Sequence, residues 1–294
     1  MTSTIPINRL GEYFAGRTSR QAWVARRLLK RPDPGDNALK GHLTAAVIGS
    51  IRPDGSLAGG FLPTALAIRD LVELGAAESV VARPLQWVIN LQGKPGAFHE
   101  GCTAARHPHR VCEHFLGGFF APAPPTLRVA PVTVPNGKVF RVESQARFAL
   151  SCIALEAVVL GGRRAEAQVS RHLESFVHLV PEWAEWSDFL APDLAFAALG
   201  PLSVAPERFA QTAEKLVEIA AANQQPDGTW PRAEFFAGLE ALASTRSPAV
   251  VPILERAIPA LLQRQRDDGS FGSVSQDERA LIGLRVLLRL QEPL

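Results

Sequence analysis

Six of the chain's ten cysteines and histidines fall within 16 consecutive positions, 99–114. Thiolate and imidazole are the ligands that zinc prefers, four at a structural site and three plus water at a catalytic one. We expect Cys102, Cys112 and His114 to bind one zinc ion, with His107 or His109 as a fourth ligand. The spacing matches no standard zinc finger. The alternative interpretation is a histidine-rich surface loop that carries two buried cysteines.

Acidic residues recur where helices are expected to begin. Glu143 and Asp193 both stand at such starts, Asp188 lies five residues before Asp193, and Arg147 follows Glu143 by one helical turn. Acids at helix N-termini are favoured by capping and by the helix dipole, which is the plainer interpretation. The functional interpretation is a set of carboxylates at one end of the fold, one of which donates a proton.

The elements that would position these residues form a repeat. Successive glycines in polar turns are 41, 41, 91 and 41 residues apart, and the long interval has room for a degenerate turn near residues 181–186. These glycines are Gly55, Gly96, Gly137, Gly228 and Gly269. Apolar residues at helical spacing occupy the segments between the turns. The pattern predicts an all-α fold, an (α/α)6 toroid of about six 41-residue helix pairs, in which ring closure makes capping repeats unnecessary.

Three of the turns share a longer motif, with glutamine four residues before the glycine and an aromatic residue two after it. The three motif pairs are Gln92 and Phe98, Gln224 and Trp230, and Gln265 and Phe271. This motif resembles the glutamine–tryptophan repeat of squalene–hopene and oxidosqualene cyclases, a repeat family that includes the β-subunits of protein prenyltransferases. The resemblance covers residues 40–294. A glutamine amide can bond the free carbonyls of a helix end, so the motif itself is expected to be structural.

The resemblance implies an apolar cavity that holds an isoprenoid between the inner helices. On that basis we expect the substrate to contact Phe148, Phe196, Phe235 and Phe236, together with Arg147. Triterpene cyclases protonate their substrate with an Asp-x-Asp-Asp motif, which this chain lacks, as it lacks the Asp-Asp-x-x-Asp motif that binds magnesium diphosphate. Asp193, Asp188 and Glu143 are the remaining candidate acids.

Composition excludes several classes of protein. With 31 basic and 29 acidic residues the chain is too balanced for a nucleic-acid partner. No apolar run reaches the length of a membrane span, and the first 17 residues have no signal-peptide core. We therefore expect a cytoplasmic protein, with peripheral membrane contact left open. The proline-rich residues 121–135 are expected to form an extended loop rather than a strand, either a lid over the cavity or a spacer.

Two regions are predicted, an N-terminal extension over residues 1–38, whose helix at 18–31 packs on the ring, and a toroid domain over residues 39–294. Three functions remain open. The first is a terpenoid cyclase-like or prenyltransferase-like enzyme acting on an isoprenoid or other apolar substrate. The second is a zinc enzyme that activates a thiol or water through the 99–114 cluster. The third is a non-catalytic binding protein that keeps the cavity.

Overall fold

The structure, a computed structural model, describes residues 4–57, 60–91, 120–124, 126–186 and 192–291. The protein is 66% helical, and the described residues form twelve α-helices and one two-stranded sheet, which confirms the all-α class. The helices are α1 (Thr4–Phe14), α2 (Arg20–Leu28), α3 (Asp36–Gly49), α4 (Phe61–Glu73), α5 (Glu78–Asn90), α6 (Glu143–Val158), α7 (Ala167–Leu179), α8 (Pro192–Val204), α9 (Ala210–Ala222), α10 (Phe235–Ser244), α11 (Val250–Gln263) and α12 (Gln276–Arg289).

Alternate helices form a cyclic series of contacts. Helix α4 packs on α6, α6 on α8, α8 on α10, α10 on α12, and α12 on α2. Ion pairs from Arg20 of α2 to Asp70 and Glu73 of α4 complete the series. We call these six the central helices. The other six, the flanking helices, each pack against members of this series. The helix predicted over residues 18–31 is α2, while the domain boundary at residue 38 remains a prediction.

Three of the turn glycines, Gly55, Gly228 and Gly269, occupy the left-handed region and pack closely on a flanking helix. Gly228 has a φ of 84°, and a Cβ there would lie 2.2 Å from the carbonyl oxygen of Arg256. Gly55 makes the same kind of contact with α5, and Gly269 with Arg9 of α1. All three have a positive φ, which glycine adopts without the steric cost that a side chain would add. Helix α1 therefore packs on the last turn as α11 packs on the turn at Gly228.

The motif glutamines bond backbone carbonyls, as expected of a structural role. Gln224 Nε2 donates to the carbonyls of Gly228 and Ile253, each at 3.0 Å. Gln265 repeats the pattern with the carbonyl of its own turn and with that of Pro6. The third glutamine of the motif lies outside the described residues. Each amide thus joins a turn to the beginning of a flanking helix.

The sheet is a short hairpin between α5 and α6. Val132–Thr133 pairs antiparallel with Val139–Phe140. The expectation of a strand-free loop is therefore wrong at its carboxyl end. Pro131 and Pro135 flank the two-residue strand without interrupting it, so neither proline removes a ladder hydrogen bond. Gly137, with a φ of 92°, lies in the turn.

Helix α6 continues into a π-helical turn and is the most apolar long helix in the described part of the chain. Contrary to the expectation from the sequence, the combined stretch, Glu143–Arg163, is long and apolar enough to span a membrane, but 67% of its most apolar window is buried inside the protein. Contacts with α4 and α8 account for that burial. Its apolar character is therefore what a core helix requires.

Candidate functional site

Two adjoining cavities lie among the central helices. The larger, of about 960 Å³, is lined mostly by charged and hydroxyl side chains from α2, α4 and α12. The smaller, of about 80 Å³, is lined by aromatic and small apolar residues of α6, α8, α10 and the hairpin, together with five charged residues, Arg69, Lys138, Glu156, Asp193 and Glu240. Both are lined by Arg69, Pro135, Glu156 and Ser244, so the two spaces meet at these residues. Charged and hydroxyl residues therefore predominate in the wall of the large cavity, whereas the small cavity combines an apolar wall with charged side chains.

An ion-pair network forms one side of the large cavity. Arg20 of α2 pairs with Glu278 of α12 at 2.9 Å and with Asp70 of α4 at 3.1 Å. Arg285 of α12 reaches Glu73 of α4 at 2.6 Å. Burial raises the pKa of the Asp70 carboxyl, and the arginines Arg20 and Arg69 only partly offset that effect. These contacts hold three central helices together where the cavity opens.

One guanidinium group lies between two carboxylates where the cavities meet. Arg69 Nη2 is 3.7 Å from Glu156 Oε1 and 3.8 Å from Glu240 Oε1. Burial raises the pKa of Glu240, and the nearby Glu278 and Glu156 raise it further, whereas Arg69 and a hydrogen bond from Asn136 lower it. The balance is a raised pKa, so Glu240 binds a proton more readily than an exposed glutamate does.

The hairpin tip reaches into the site and forms part of the wall of the small cavity. Asn136 Nδ2 donates to Glu240 Oε2 at 2.8 Å, and Arg279 Nε donates to the Asn136 carbonyl at 2.9 Å. Lys138 pairs with Asp193. The tip is thus bound to α8, α10 and α12 by three separate polar contacts.

The predicted acids occupy different environments. Asp193 lies at the start of α8 beside the small cavity, pairs with Lys138 and accepts a hydrogen bond from the backbone N–H of Glu234. Glu143 accepts hydrogen bonds from the backbone of Val129 and Ala130. Asp188 lies outside the described residues.

The pKa of Glu143 is lowered. Burial by itself would raise it, but the hydrogen bonds from Ala130, Val129 and Arg147 outweigh burial. A lowered pKa keeps the carboxyl ionised and makes it a weak proton donor at neutral pH. Glu143 remains a predicted acid, but its contacts are those of a residue that holds the preceding loop.

Of the predicted substrate contacts, Phe196 lines the small cavity. Phe148 lies against Phe176 and Trp183. Phe235 and Phe236 pack on each other. Phe148, Phe235 and Phe236 are not among the described residues that line the two cavities.

Arg147 is buried and fastens the loop before the hairpin. Its guanidinium donates to the carbonyls of Ala123, Pro124 and Leu127 and pairs with Glu143 at 2.7 Å. The role in substrate binding predicted for Arg147 remains a prediction.

The predicted zinc ligands, Cys102, His107, His109, Cys112 and His114, all lie outside the described residues. Within the residues that the structure describes, no group of three or more His, Cys, Asp or Glu side chains is arranged to hold a metal ion. Zinc therefore remains a prediction for the 99–114 cluster.

Sequence reasoning did not select Arg69, Glu156 or Glu240. Glu240 is the only charged residue of α10, whereas Arg69 and Glu156 share their helices with other charged residues. A lone charge on an apolar helix is a signal that identifies Glu240, because burial without a partner is costly; the helices of Arg69 and Glu156 carry no such signal.

The protein resembles known proteins in its structure but not detectably in its sequence. No family model matches the chain, and no curated protein is detectably similar in sequence. A protein from Actinoplanes is 14% identical, with a TM-score of 0.60 over 99% of this chain and 100% of that one. The type II terpene cyclase MstE from Scytonema is similar in two variant structures, each in complex with its substrate, geranylgeranyl dihydroxybenzoate.

The first of these is 12% identical with a TM-score of 0.60, and the second 14% identical with a TM-score of 0.58. Each match covers 98% of this chain and 97% of the cyclase. At this identity the similarity is one of fold. The protein has a terpene cyclase-like helical fold over nearly its whole length.

Proposed function

We propose that the protein is a terpenoid cyclase-like enzyme that binds an isoprenoid at the centre of an (α/α)6 toroid. The cyclic contacts of the six central helices, and the equivalent packing of α1 and α11 on two of the turns, support the ring. The ring would belong to the prenyltransferase and squalene–hopene cyclase repeat family, whose glutamine–tryptophan repeat the turns at Gln224 and Gln265 resemble.

The observation that carries the proposal is a cavity whose wall combines aromatic and small apolar residues with carboxyl groups and their cationic partners. Phe140, Phe196 and Ala237 line the small cavity beside Asp193 and Glu240. Aromatic faces stabilise a developing carbocation, and a carboxylic acid can start such chemistry by protonating a double bond. The carboxyl groups beside the cavity favour initiation by a proton, although the chain has neither the Asp-x-Asp-Asp nor the Asp-Asp-x-x-Asp motif.

The polarity of the two cavities supports a substrate with two unlike ends. The large cavity presents charged and hydroxyl groups to a polar head, and the small cavity is suited to the end of a hydrocarbon chain. The substrate of the Scytonema cyclase, geranylgeranyl dihydroxybenzoate, has that character. We propose an apolar small-molecule partner of this class, and a cytoplasmic location for the enzyme.

The test is turnover by the purified protein. Geranylgeranyl dihydroxybenzoate, and the farnesyl and geranyl analogues, are incubated with enzyme and analysed by liquid chromatography and mass spectrometry. A product of unchanged mass and altered retention time is expected, because cyclisation is an isomerisation. Saturable binding of all three compounds without any product would instead support the non-catalytic binding protein.

A further inference from the structure

Three carboxyl groups line the small cavity, and their partners distinguish them. Asp193 is paired with the ammonium group of Lys138 and accepts a backbone hydrogen bond, so its charge is already compensated. Glu156 also lines the large polar cavity. Glu240 shares its guanidinium partner, Arg69, with Glu156. It lines the small cavity but not the large one.

The acidic groups that face Glu240 outnumber the cationic ones. Arg69 faces it from α4, Glu156 from α6, Glu278 from α12 and Asn136 from the hairpin. A single guanidinium faces both Glu156 and Glu240, so it cannot fully compensate a negative charge on each of them. Burial is the largest effect on the pKa of Glu240 and raises it, so Glu240 holds a proton more readily than an exposed glutamate does.

The two oxygens of Glu240 are not equivalent. Oε2 accepts the hydrogen bond from Asn136 at 2.8 Å. Oε1 lies 3.8 Å from Arg69 Nη2, beyond hydrogen-bond distance, and it has no hydrogen bond in the described part of the chain. Asn136 therefore fixes the orientation of the carboxyl group and leaves Oε1 for a transferable proton.

The size of the small cavity limits what can reach that proton. At about 80 Å³ it has room for two or three groups of the size of a water molecule, each about 30 Å³. The branched end of an isoprenoid chain is of that size, and the remainder of the substrate would extend into the large cavity. Phe196 and Phe140 line the same small space, and the ammonium group of Lys138 lies 5.6 Å from the centre of the Phe140 ring.

We propose that Glu240 is the proton donor of this enzyme and that Asn136 is its positioning residue. The inference rests on the proposed function. The alkene π pair forms a new C–H bond with the proton of Oε1, the O–H bonding pair remains on Glu240 as carboxylate, and a tertiary carbocation is left on the neighbouring carbon. A second double bond of the substrate closes the ring, the final cation loses a proton to water, and Glu240 is reprotonated from solvent.

The first test compares turnover in matched variants. Glu240→Gln is expected to lower kcat by about 10²- to 10⁴-fold with little change in substrate affinity, because the amide keeps the shape and loses the acid. Glu240→Asp should retain part of the activity. Glu174→Gln, the same exchange at an exposed residue of α7, should leave kcat unchanged, and circular dichroism checks that each variant folds. Wild-type kcat in Glu240→Gln, or its loss in Asp193→Asn alone, would overturn the assignment.

The second test separates positioning from folding. Activity of a proton donor falls as pH rises through its pKa, and the Asn136 hydrogen bond lowers the pKa of Glu240. Asn136→Ala is therefore expected to move the alkaline limb of the kcat profile to higher pH. A limb that stays in place, or moves to lower pH, contradicts the positioning role.

A third measurement does not depend on turnover. Infrared difference spectra of the wild type recorded as pH is raised should show the carbonyl stretch of protonated carboxylic acids disappearing. The band should be smaller in Glu240→Gln than in the wild type, because Asp70, whose pKa is also raised, still contributes in the variant. A band of equal size in the two proteins contradicts a protonated Glu240. Absence of the band in the wild type overturns the assignment. If the band is smaller in Glu240→Gln but no isoprenoid is converted by the wild type, the proposed function fails and the donor role fails with it, while the protonated Glu240 itself stands.

Discussion

At the residue scale, the centre of the site is a charge imbalance. Arg69 lies within 4 Å of Glu156 and Glu240, and its guanidinium carries one positive charge against their two negative charges. The imbalance is maintained by burial, which lowers the stability of the ionised form of Glu240. Burial of Glu240, which favours its role as an acid, should therefore also make the free energy of unfolding depend on pH.

We predict that Glu240→Gln changes the dependence of stability on pH. The pKa of Glu240 is raised in the folded protein above its ordinary value of 4.5, so the wild type loses stability as pH rises past that value. The glutamine does not titrate. The difference in free energy of unfolding, variant minus wild type, should therefore move in favour of the variant between about pH 5 and pH 8.

Urea denaturation at pH 5, 6.5 and 8 measures this difference. Glu174→Gln, at a side chain that is 56% exposed, is the matched control and should give a difference that does not change with pH. A difference for Glu240→Gln that is equally flat would show that Glu240 titrates in the fold as it does in the unfolded chain.

At the element scale, the turns between helices are built by close packing of backbone on backbone. Gly228 meets the carbonyl of Arg256 of α11, and Gln224 adds hydrogen bonds to the same turn. The turn therefore depends on the lack of a side chain at one residue and on an amide at another. Neither residue lines either of the two cavities in the described part of the chain.

We predict that Gly228→Ala destabilises the protein by at least about 2 kcal/mol, because alanine is strained at a φ of 84° and its Cβ would lie 2.2 Å from a backbone oxygen. Gly41→Ala is the matched control. Gly41 lies within α3, and a Cβ there would meet no atom of the described residues within 4 Å, so alanine should stabilise by about 0.5–1 kcal/mol. Thermal unfolding measures both, and equal effects would contradict the packing of the turn.

At the scale of the whole molecule, the first two helices of the chain contact the last helix and so close the series of central helices. Tyr13 of α1 donates to Asp277 of α12 at 2.7 Å, and Gln265 bonds the carbonyl of Pro6. Arg20 of α2 links α12 to α4. Contacts between residues more than 250 positions apart therefore join the two ends of the chain.

We predict that Phe14→Ala, which empties a fully buried position of α1, lowers the free energy of unfolding by about 3–5 kcal/mol. Unfolding should remain a single transition, since α1 and α12 pack on each other. Ile5→Ala, in the same helix but 68% exposed, should change stability by less than about 0.5 kcal/mol. Calorimetry decides, and a separate early transition in Phe14→Ala would show that the two ends of the chain unfold independently of the rest.

The local chemistry of the sequence was sufficient to predict the helices, the turns and the role of the motif glutamines. Apolar spacing, a glycine that takes positive φ and an amide that bonds carbonyls all act within a few residues of one another, so their pattern is readable without knowing the fold. Asp193 was placed correctly at the start of a helix for the same reason. The toroid, the number of repeats and the zinc remain predictions.

Only the tertiary structure brought the site residues together. Arg69 and Glu240 lie 171 positions apart, and Asn136 reaches Glu240 across 104 positions from a hairpin that the sequence did not predict. The ion pair of Asp193 with Lys138 has the same origin. The reason is physical: the protonation of a carboxyl group depends on the charges and solvent around it, and here those are supplied by four helices and a hairpin distant from one another along the chain.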